Sequence, residues 1–491
     1  MQWTEEQQPA IHSSARKLLV QAFAGTGKTT TLVGYASHNA KIKMLYLCYN
    51  KAVEMAAKNR FPRNVTCKTA HGLAYAVYGS QYKHKQAGNL RLTDIARTIN
   101  TQDWELAKDI ISTLNAFMAS SDLELKEDHF VRFQSNSRLT SVQQRYMQRT
   151  LDLTRDVWGK MVDIQDRSVS MTHDGYLKLY QMSQPDLSQR FGAILLDEGQ
   201  DVNPVIANLV QIQKITQVTV GDRHQQLYRF RGAVDALNSP AMTDAEKHFL
   251  TQSFRFGPAV AYVANVILSF KGETIPLQGL GQQTLVKRAL PHDLPHRTYL
   301  HRTVSGVIEN ALRLVNQDNK MQWLGGIDSY SLRDLEDLFY FSRDMKDQVQ
   351  QRKLLGDYAD YDQYVAIAKA IQDPEMLRSI KIIENYPDLP QRIDQLRRAS
   401  VTSELDATVT LSTAHRAKGL EWDFVGLYED FTADPLSPDI EAGKRDDELN
   451  LLYVSVTRAM KILAVNTIVI DIMQRFKDQR SVVSTTAKSI L

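Results

Sequence analysis

The stretch KLLVQAFAGTGKTT, residues 17–30, constrains the fold more than any other part of the chain. An apolar run leads directly into a loop of small residues and then into a helix-compatible segment, the succession of strand, loop and helix that a phosphate-binding loop needs. Gly25 and Gly27 allow backbone N–H groups to turn toward phosphate oxygens. Lys28 can reach the β- and γ-phosphates, and the Thr29 hydroxyl can ligate Mg²⁺. Ala24, Gly25, Thr26, Gly27, Lys28, Thr29 and Thr30 are the nucleotide-binding candidates. Ala22 stands where such loops usually carry their first glycine. Alone, GTGKT would also fit a turn before a surface helix.

A second element argues against that bland reading. In FGAILLDEGQD, residues 191–201, four apolar residues end in Asp197 and Glu198. The pattern reads as a buried parallel strand whose carboxylates emerge at its C-terminal edge, where open α/β sheets hold ligands. Asp197 would hold Mg²⁺, and Glu198 would orient and deprotonate an attacking water. A lone acidic pair at a strand end is often just solvated; paired with the glycine loop, it points to ATP hydrolysis.

Length and composition bound the rest. A chain of 491 residues, 43% hydrophobic, should divide into several domains. The net charge is only +3, so a polyanion would be met by local patches. Two cysteines, Cys48 and Cys67, cannot build a disulfide framework, and the 12 histidines show no ligand spacing, so no metal beyond Mg²⁺ is expected. The start, MQWTEEQQ, is unlike a signal peptide, and the longest apolar stretch, around AVAYVANVILSF (259–270), reads as a core helix rather than a membrane span. A soluble intracellular protein is expected. Residues 51–70 hold Lys51, Lys58, Arg60, Arg63 and Lys68 against one acid, Glu54, an imbalance suited to nucleic-acid phosphates, although a solvated face would read the same way.

One segment combines two chemistries. VGDRHQQLYRFRGA, residues 220–233, begins like a strand ending in a carboxylate and a glutamine, then offers Tyr228, Arg229, Phe230 and Arg231. The order of all these motifs resembles the superfamily 1A DNA helicases of the UvrD/Rep type, most closely the helicase core of the F-box DNA helicases. WTEEQQPAI looks like their adenine-reading motif, with Gln7 as reader. YLCYNKAVEMA (46–56) and TAHGLAY (69–75) look like strand-contacting motifs, which nominates Asn50, Lys51, Thr69 and His71. MTHDGYLKLY (171–180) points to the F-box subgroup, while LTQSFRFGPAV (250–260), LSTAHRAKGLEWDFV (411–425) and ELNLLYVSVTRAM (448–460) resemble motifs of a second motor domain. The motifs begin almost at Met1, so no F-box segment and no ubiquitin-ligase partner is expected.

The resemblance assigns further roles. Gln225 would sense the γ-phosphate, while Tyr228, Phe230 and Arg231 would meet the strand, each stacked base being worth ~1–3 kcal/mol with little regard to sequence. Relatives usually carry Trp where Phe230 stands. Arg255 would contact the γ-phosphate and Arg458 would act as an arginine finger. The apolar Leu451, Leu452, Val454 and Val456 mark the segment before Arg458 as largely buried, so that Arg458 is expected to emerge at a domain face. Glu421 would contact the ribose and His415 the strand.

The expected architecture is α/β: two RecA-like parallel-sheet motor domains, each with a mainly helical insertion, and ATP between the two motors. Residues 1–75 and 166–249 would form motor 1A and 76–165 a helical insertion, where ELAKDIISTLNAFMASSDLELKED (105–128) is amphipathic. Residues 250–305 and 401–491 would form motor 2A, with 306–400 as the second insertion. The expected function is ATP-dependent translocation on single-stranded DNA and 3′-to-5′ unwinding by a monomer at single-strand/duplex junctions, with recombination or repair proteins as partners. An ATP-driven remodeller that strips recombinase filaments with little unwinding is the alternative. The expected location is cytoplasmic or nucleoid-associated in a bacterium or phage, nuclear in a eukaryote.

Overall fold

The computed structural model describes residues 3–489, apart from 49–50, 134–137, 230–231, 316–318, 372–373 and 432–433; the side chains of 52, 353, 370–375 and 480–489 also lie outside the description. The chain divides into two units, Met1–Thr251 and Gln252–Leu491.

The first unit is built on β1 (Lys17–Ala22), β2 (Met44–Cys48), β3 (Val65–Thr69), β4 (Ala193–Leu196), β5 (Thr216–Gly221) and β6 (Glu246–Leu250). They form one sheet in the order β3-β2-β4-β5-β1-β6, and every pairing is parallel. Every residue of β2 and of β4 is buried, as expected of strands covered by helices on both faces. β5 lies between β1 and β4, so the loops leaving all three open on the same edge.

Between β3 and β4 the described chain is helical, with long helices at Trp104–Ala119 and Ser141–Val162. Leu106, Ile110, Leu114 and Phe117 form one buried stripe of the first, packed with Val157 and Met161 of the second. The amphipathic stretch 105–128 is helical only to Ala119. Beyond it the carbonyl of Ser120 accepts a hydrogen bond from the buried Lys178 ammonium at 2.8 Å, and that of Ser121 one from Gln181 at 2.9 Å. These side-chain donors satisfy carbonyls that further helical turns would otherwise have paired.

The second unit contains β7 (Leu285–Lys287), β8 (Arg297–His301), β9 (Met321–Trp323), β10 (Ser400–Val401), β11 (Val409–Thr413), β12 (Trp422–Leu427) and β13 (Ala459–Ala464). Their order is β10-β9-β11-β8-β12-β13-β7, again with parallel pairings. The stretch 306–400 is mostly helical, yet it also gives β9 and the first residue of β10 to this sheet, and Val307, Trp323 and Leu338 share a core with Val409 and Leu411. Both units therefore have the mixed, parallel-sheet construction expected of two RecA-like domains. AVAYVANVILSF forms the helix Pro258–Ser269, whose Val260, Val263, Ala264 and Ile267 are buried. No helix among the described residues is long and apolar enough to cross a membrane.

Candidate nucleotide and strand site

Gly25 (φ 74°) and Gly27 (φ 84°) adopt left-handed backbone between β1 and the helix Lys28–His38. Glycine is required at these turns, because a Cβ would strain the loop and, at Gly27, would also meet the Gln7 carboxamide nitrogen at 2.8 Å. Gln7 is thus placed against the loop, 5% exposed, its own oxygen accepting the Thr4 N–H at 3.2 Å. Thr26 braces the turn by donating to the Phe23 carbonyl at 2.9 Å. The first helical turn leaves unpaired N–H groups at a positive dipole end, which suits an anion.

The carboxylates from β4 come to the same place. The Thr29 hydroxyl donates to Asp197 Oδ2 at 2.9 Å, and the Tyr46 hydroxyl donates to the same oxygen at 2.8 Å. Burial, and next the neighbouring Glu198 charge, push the Asp197 carboxyl above the usual range, while Lys28 pulls in the opposite direction. Lys28 Nζ stands 3.7 Å from Glu198 Oε1. Mg²⁺ takes oxygen ligands, usually one or two carboxylates beside the substrate phosphates, so a hydroxyl and a carboxylate in contact fit it. No group of three or more His, Cys, Asp or Glu among the described residues could hold another metal.

Glu198 itself sits in left-handed backbone, φ 54° and ψ 41°, an unusual conformation for a side-chain-bearing residue and one that clusters at functional sites. Its Oε2 accepts from Gln200 Nε2 at 2.5 Å. Gln200 Oε1 in turn accepts the Asp222 N–H at 3.0 Å, and the Asp222 carboxylate accepts from Gln225 Nε2 at 2.7 Å. A continuous chain of hydrogen bonds therefore joins the expected water-orienting carboxylate to the expected γ-phosphate sensor. Beyond that chain a cavity of about 360 Å³ has Asp197 and Glu198 in its lining together with His71, Asp174 and Tyr228.

The strand-contact candidates are more varied. His71 Nε2 lies 3.1 Å from Asp174 Oδ1, which brings the TAH motif against the subgroup motif. Thr69 caps the helix Ala70–Val77, accepting the Gly72 N–H at 2.9 Å. Lys51 and Lys58 both donate to the buried Glu54 carboxylate, at 2.8 and 2.7 Å, and Glu54 also takes the Thr69 N–H at 3.3 Å. Burial works to raise the Glu54 carboxyl, but these donors hold it down, at about 2. Arg60 reaches the Thr30 hydroxyl at 3.2 Å. Three of the five basic residues of the 51–70 patch are thus engaged within the protein. Asn50, Phe230 and Arg231 lie outside the described residues.

Residues 3–242 match the UvrD/REP helicase N-terminal domain and residues 408–465 the UvrD-like helicase C-terminal domain. Over 94% of its length the chain is 33% identical to F-box DNA helicase 1 of Gallus gallus. The chain belongs to the UvrD/Rep helicase family. It is also 31% identical, over 91% of its length, to F-box DNA helicase protein 1 of Schizosaccharomyces pombe, and 26% identical over 33% to a probable DNA helicase II homolog of Mycoplasma genitalium. These alignments cover 48%, 55% and 23% of the respective relatives, so this helicase chain spans about half the length of the two F-box proteins.

The helicase residues of the second unit correct one expectation. Arg458 does not emerge at a face: it is 1% exposed, and its guanidinium donates to the carbonyls of Val454 at 2.9 Å and Leu420 at 3.0 Å and to the Thr457 hydroxyl at 3.2 Å. The cause is local, since the helix Ala442–Val456 and the turn before β12 both aim carbonyl oxygens at it. Arg255 is ion-paired with Glu421 and donates to the Thr457 carbonyl at 3.2 Å. His415 is half-buried in the turn after β11. Tyr46 and Gln200 were missed as functional candidates, and Asp222 was read only as the carboxylate that ends a strand, without a role. DEGQD and GDRHQ carry Gln200 and Asp222 in plain view, but the bond that joins Gln200 to Asp222 spans 22 residues of chain.

Proposed function

We propose that this chain is an ATP-driven single-stranded DNA translocase that unwinds duplexes in the 3′-to-5′ direction. The observation that carries the reading is the hydrogen-bonded path from Glu198 through Gln200 and Asp222 to Gln225, on the segment that three residues later presents Tyr228 to a cavity shared with His71. Nucleotide chemistry and strand grip then reside on one sheet edge.

On this reading the loop N–H groups from Ala24 to Thr30 cradle phosphates, Gln7 reads the base, and Lys28 neutralises the β- and γ-phosphates. Thr29 and Asp197 would hold Mg²⁺, which when bound supplies charge neutralisation at the phosphates. Glu198 accepts a proton from the attacking water, held in orientation by Gln200. Gln225 donates to the γ-phosphate and exchanges that bond for the one it makes to Asp222. Tyr228 and Phe230 stack bases while Asn50, Lys51, Thr69, His71, Arg231 and His415 contact the strand. Arg255 acts on the γ-phosphate and Glu421 on the ribose, roles that rest on the family's motifs, whereas Arg458, the arginine finger those motifs imply, is given no part in the step because its guanidinium is spent on the Val454 and Leu420 carbonyls.

The proposal includes residues 1–75 with 166–249 and residues 250–305 with 401–491 as the two motors, 76–165 and 306–400 as insertions, and a monomer working at single-strand/duplex junctions, with recombination or repair proteins as partners. Substrates with a 3′ single-stranded tail should be unwound and those with only a 5′ tail should not. ATP hydrolysis should rise when single-stranded DNA is added. Preference for the 5′ tail, or hydrolysis indifferent to DNA, overturns the reading.

A further inference from the structure

The path to Gln225 explains how the hydrolysis loop touches a phosphate sensor, but it stops short of Tyr228. A different side chain covers that distance. Asp201, the last residue of the turn Gly199–Asp201, turns one carboxylate oxygen to the segment after β5, where Oδ1 accepts the N–H of Leu227 at 3.0 Å and that of Tyr228 at 3.2 Å. It is 5% exposed, and it lines the same cavity as Glu198 and Tyr228.

Two consecutive N–H groups on one oxygen fix the planes of both peptide units and so the direction in which Tyr228 leaves the backbone. A buried site of low dielectric strengthens such hydrogen bonds. The neighbouring ties are of other kinds. Gln200 holds the start of the segment at Asp222, and the Val234 N–H donates to the Val202 carbonyl at 2.8 Å at its end. Leu227 is buried, 6% exposed, and with both N–H groups held on one oxygen the backbone at 227–228 has little freedom to move independently of Asp201. Glu198 lies three residues before Asp201 in the same loop. Any shift of that loop during turnover displaces the acceptor that sets Tyr228.

We propose that Asp201 is a positioning residue that carries the state of the hydrolysis loop to Tyr228, and through it to the grip on the strand. This rests on the motor reading above. It makes Asp201 dispensable for the chemistry of phosphate cleavage and necessary for its response to DNA.

The test uses the full chain and measures kcat and KM for ATP with and without oligodeoxythymidine. Asp201→Ala should lower the ratio of strand-stimulated to basal kcat by about tenfold, with KM for ATP changed by less than about twofold. Asp201→Asn keeps an oxygen acceptor in place and should retain at least about half of the stimulation. Should Asp201→Ala not fold, Asp201→Glu keeps the charge but displaces the acceptor by one methylene, and the same loss of ratio is expected. An unchanged ratio in the Ala or Glu variant overturns the proposal, as does an equal fall of basal and stimulated rates, or an Asn variant as impaired as Ala. If the parent shows no stimulation at all, the motor reading itself fails and the proposal with it. Stimulation intact in parent and variants removes only the role of Asp201.

Discussion

The sheet of residues 1–251 and the sheet of residues 252–491 share an all-parallel plan, yet the polar groups gathered around Asp197 in the first and around Arg458, Arg416 and His301 in the second are used differently. In the first unit the strand edge presents groups that lean on one another and leave capacity for a ligand: Thr29 and Tyr46 on one oxygen of Asp197, and Lys28 at 3.7 Å from Glu198. In the second unit the comparable groups are tied into the backbone. Arg458 donates to two carbonyls, Arg416 to the carbonyls of Leu324 and Ser329, and His301 is fully buried with Nδ1 3.0 Å from the Ser412 carbonyl. The lesson is that at Glu198 a substitution should cost chemistry, on the motor reading, whereas at Arg458, Arg416 or His301 it should cost fold.

The sharpest way to break this contrast is at the first unit's carboxylate. Glu198→Gln should reduce ATP turnover by about 10²–10⁴-fold while nucleotide binding and the thermal midpoint stay near the parent values. A variant that unfolds instead would put the first unit in the second unit's class. Arg458→Ala is the counterpart. It should destabilise the second unit by roughly 2–4 kcal/mol in denaturant titration, through lost packing and carbonyls left without donors, before any effect on turnover can be read. A stable but inactive Arg458→Ala protein would show the guanidinium working as an active-site group that only rests on those carbonyls.

Acid should separate the units by a somewhat smaller margin. Burial holds His301 down at about 4, against an Asp430 charge that pulls it upward. The unfolded chain takes up this proton near pH 6.5 and the folded chain only near 4, so stability falls as pH drops through that window, by something on the order of 2–3 kcal/mol at pH 4. Glu54 in the first unit behaves differently. Its folded value of about 2 lies below the unfolded one, so its contribution is complete above the ordinary carboxylate range and disappears only as pH approaches 2. Hydrogen exchange resolved by segment between pH 7 and 4 should show the second unit opening first. The smallest effect belongs to Glu54→Gln, about 1–2 kcal/mol from the weakened Lys51, Lys58 and Thr69 bonds, together with loss of the acid limb in the first unit.

What could be read from the sequence follows from how local each feature is. The glycine loop, Asp197 and Glu198 were legible because their chemistry is written in adjacent residues and in the apolar runs before them. Tyr46 was not, because its partner Asp197 lies 151 residues away and nothing in MLYLC distinguishes a hydroxyl that donates from one that is merely buried. For Arg458 the apolar Leu451, Leu452, Val454 and Val456 correctly marked a buried segment, but the direction of the guanidinium depends on the Leu420 carbonyl, 38 residues away. The end of the helix at Ala119 depended likewise on Lys178, a distant donor that no helical periodicity reveals.

The left-handed backbone of Glu198 has a consequence for anyone who would evolve or engineer this chain. Glycine would adopt φ 54° without strain, and removing the carboxylate would also relieve the charge it imposes on Asp197. If Glu198 is the base proposed above, the position where hydrolysis most needs glutamate is one where the folded state would gain from losing it. A library sorted for heat resistance alone would drift toward hardier molecules that no longer work, so selection at this site has to be made on catalysis and endurance together.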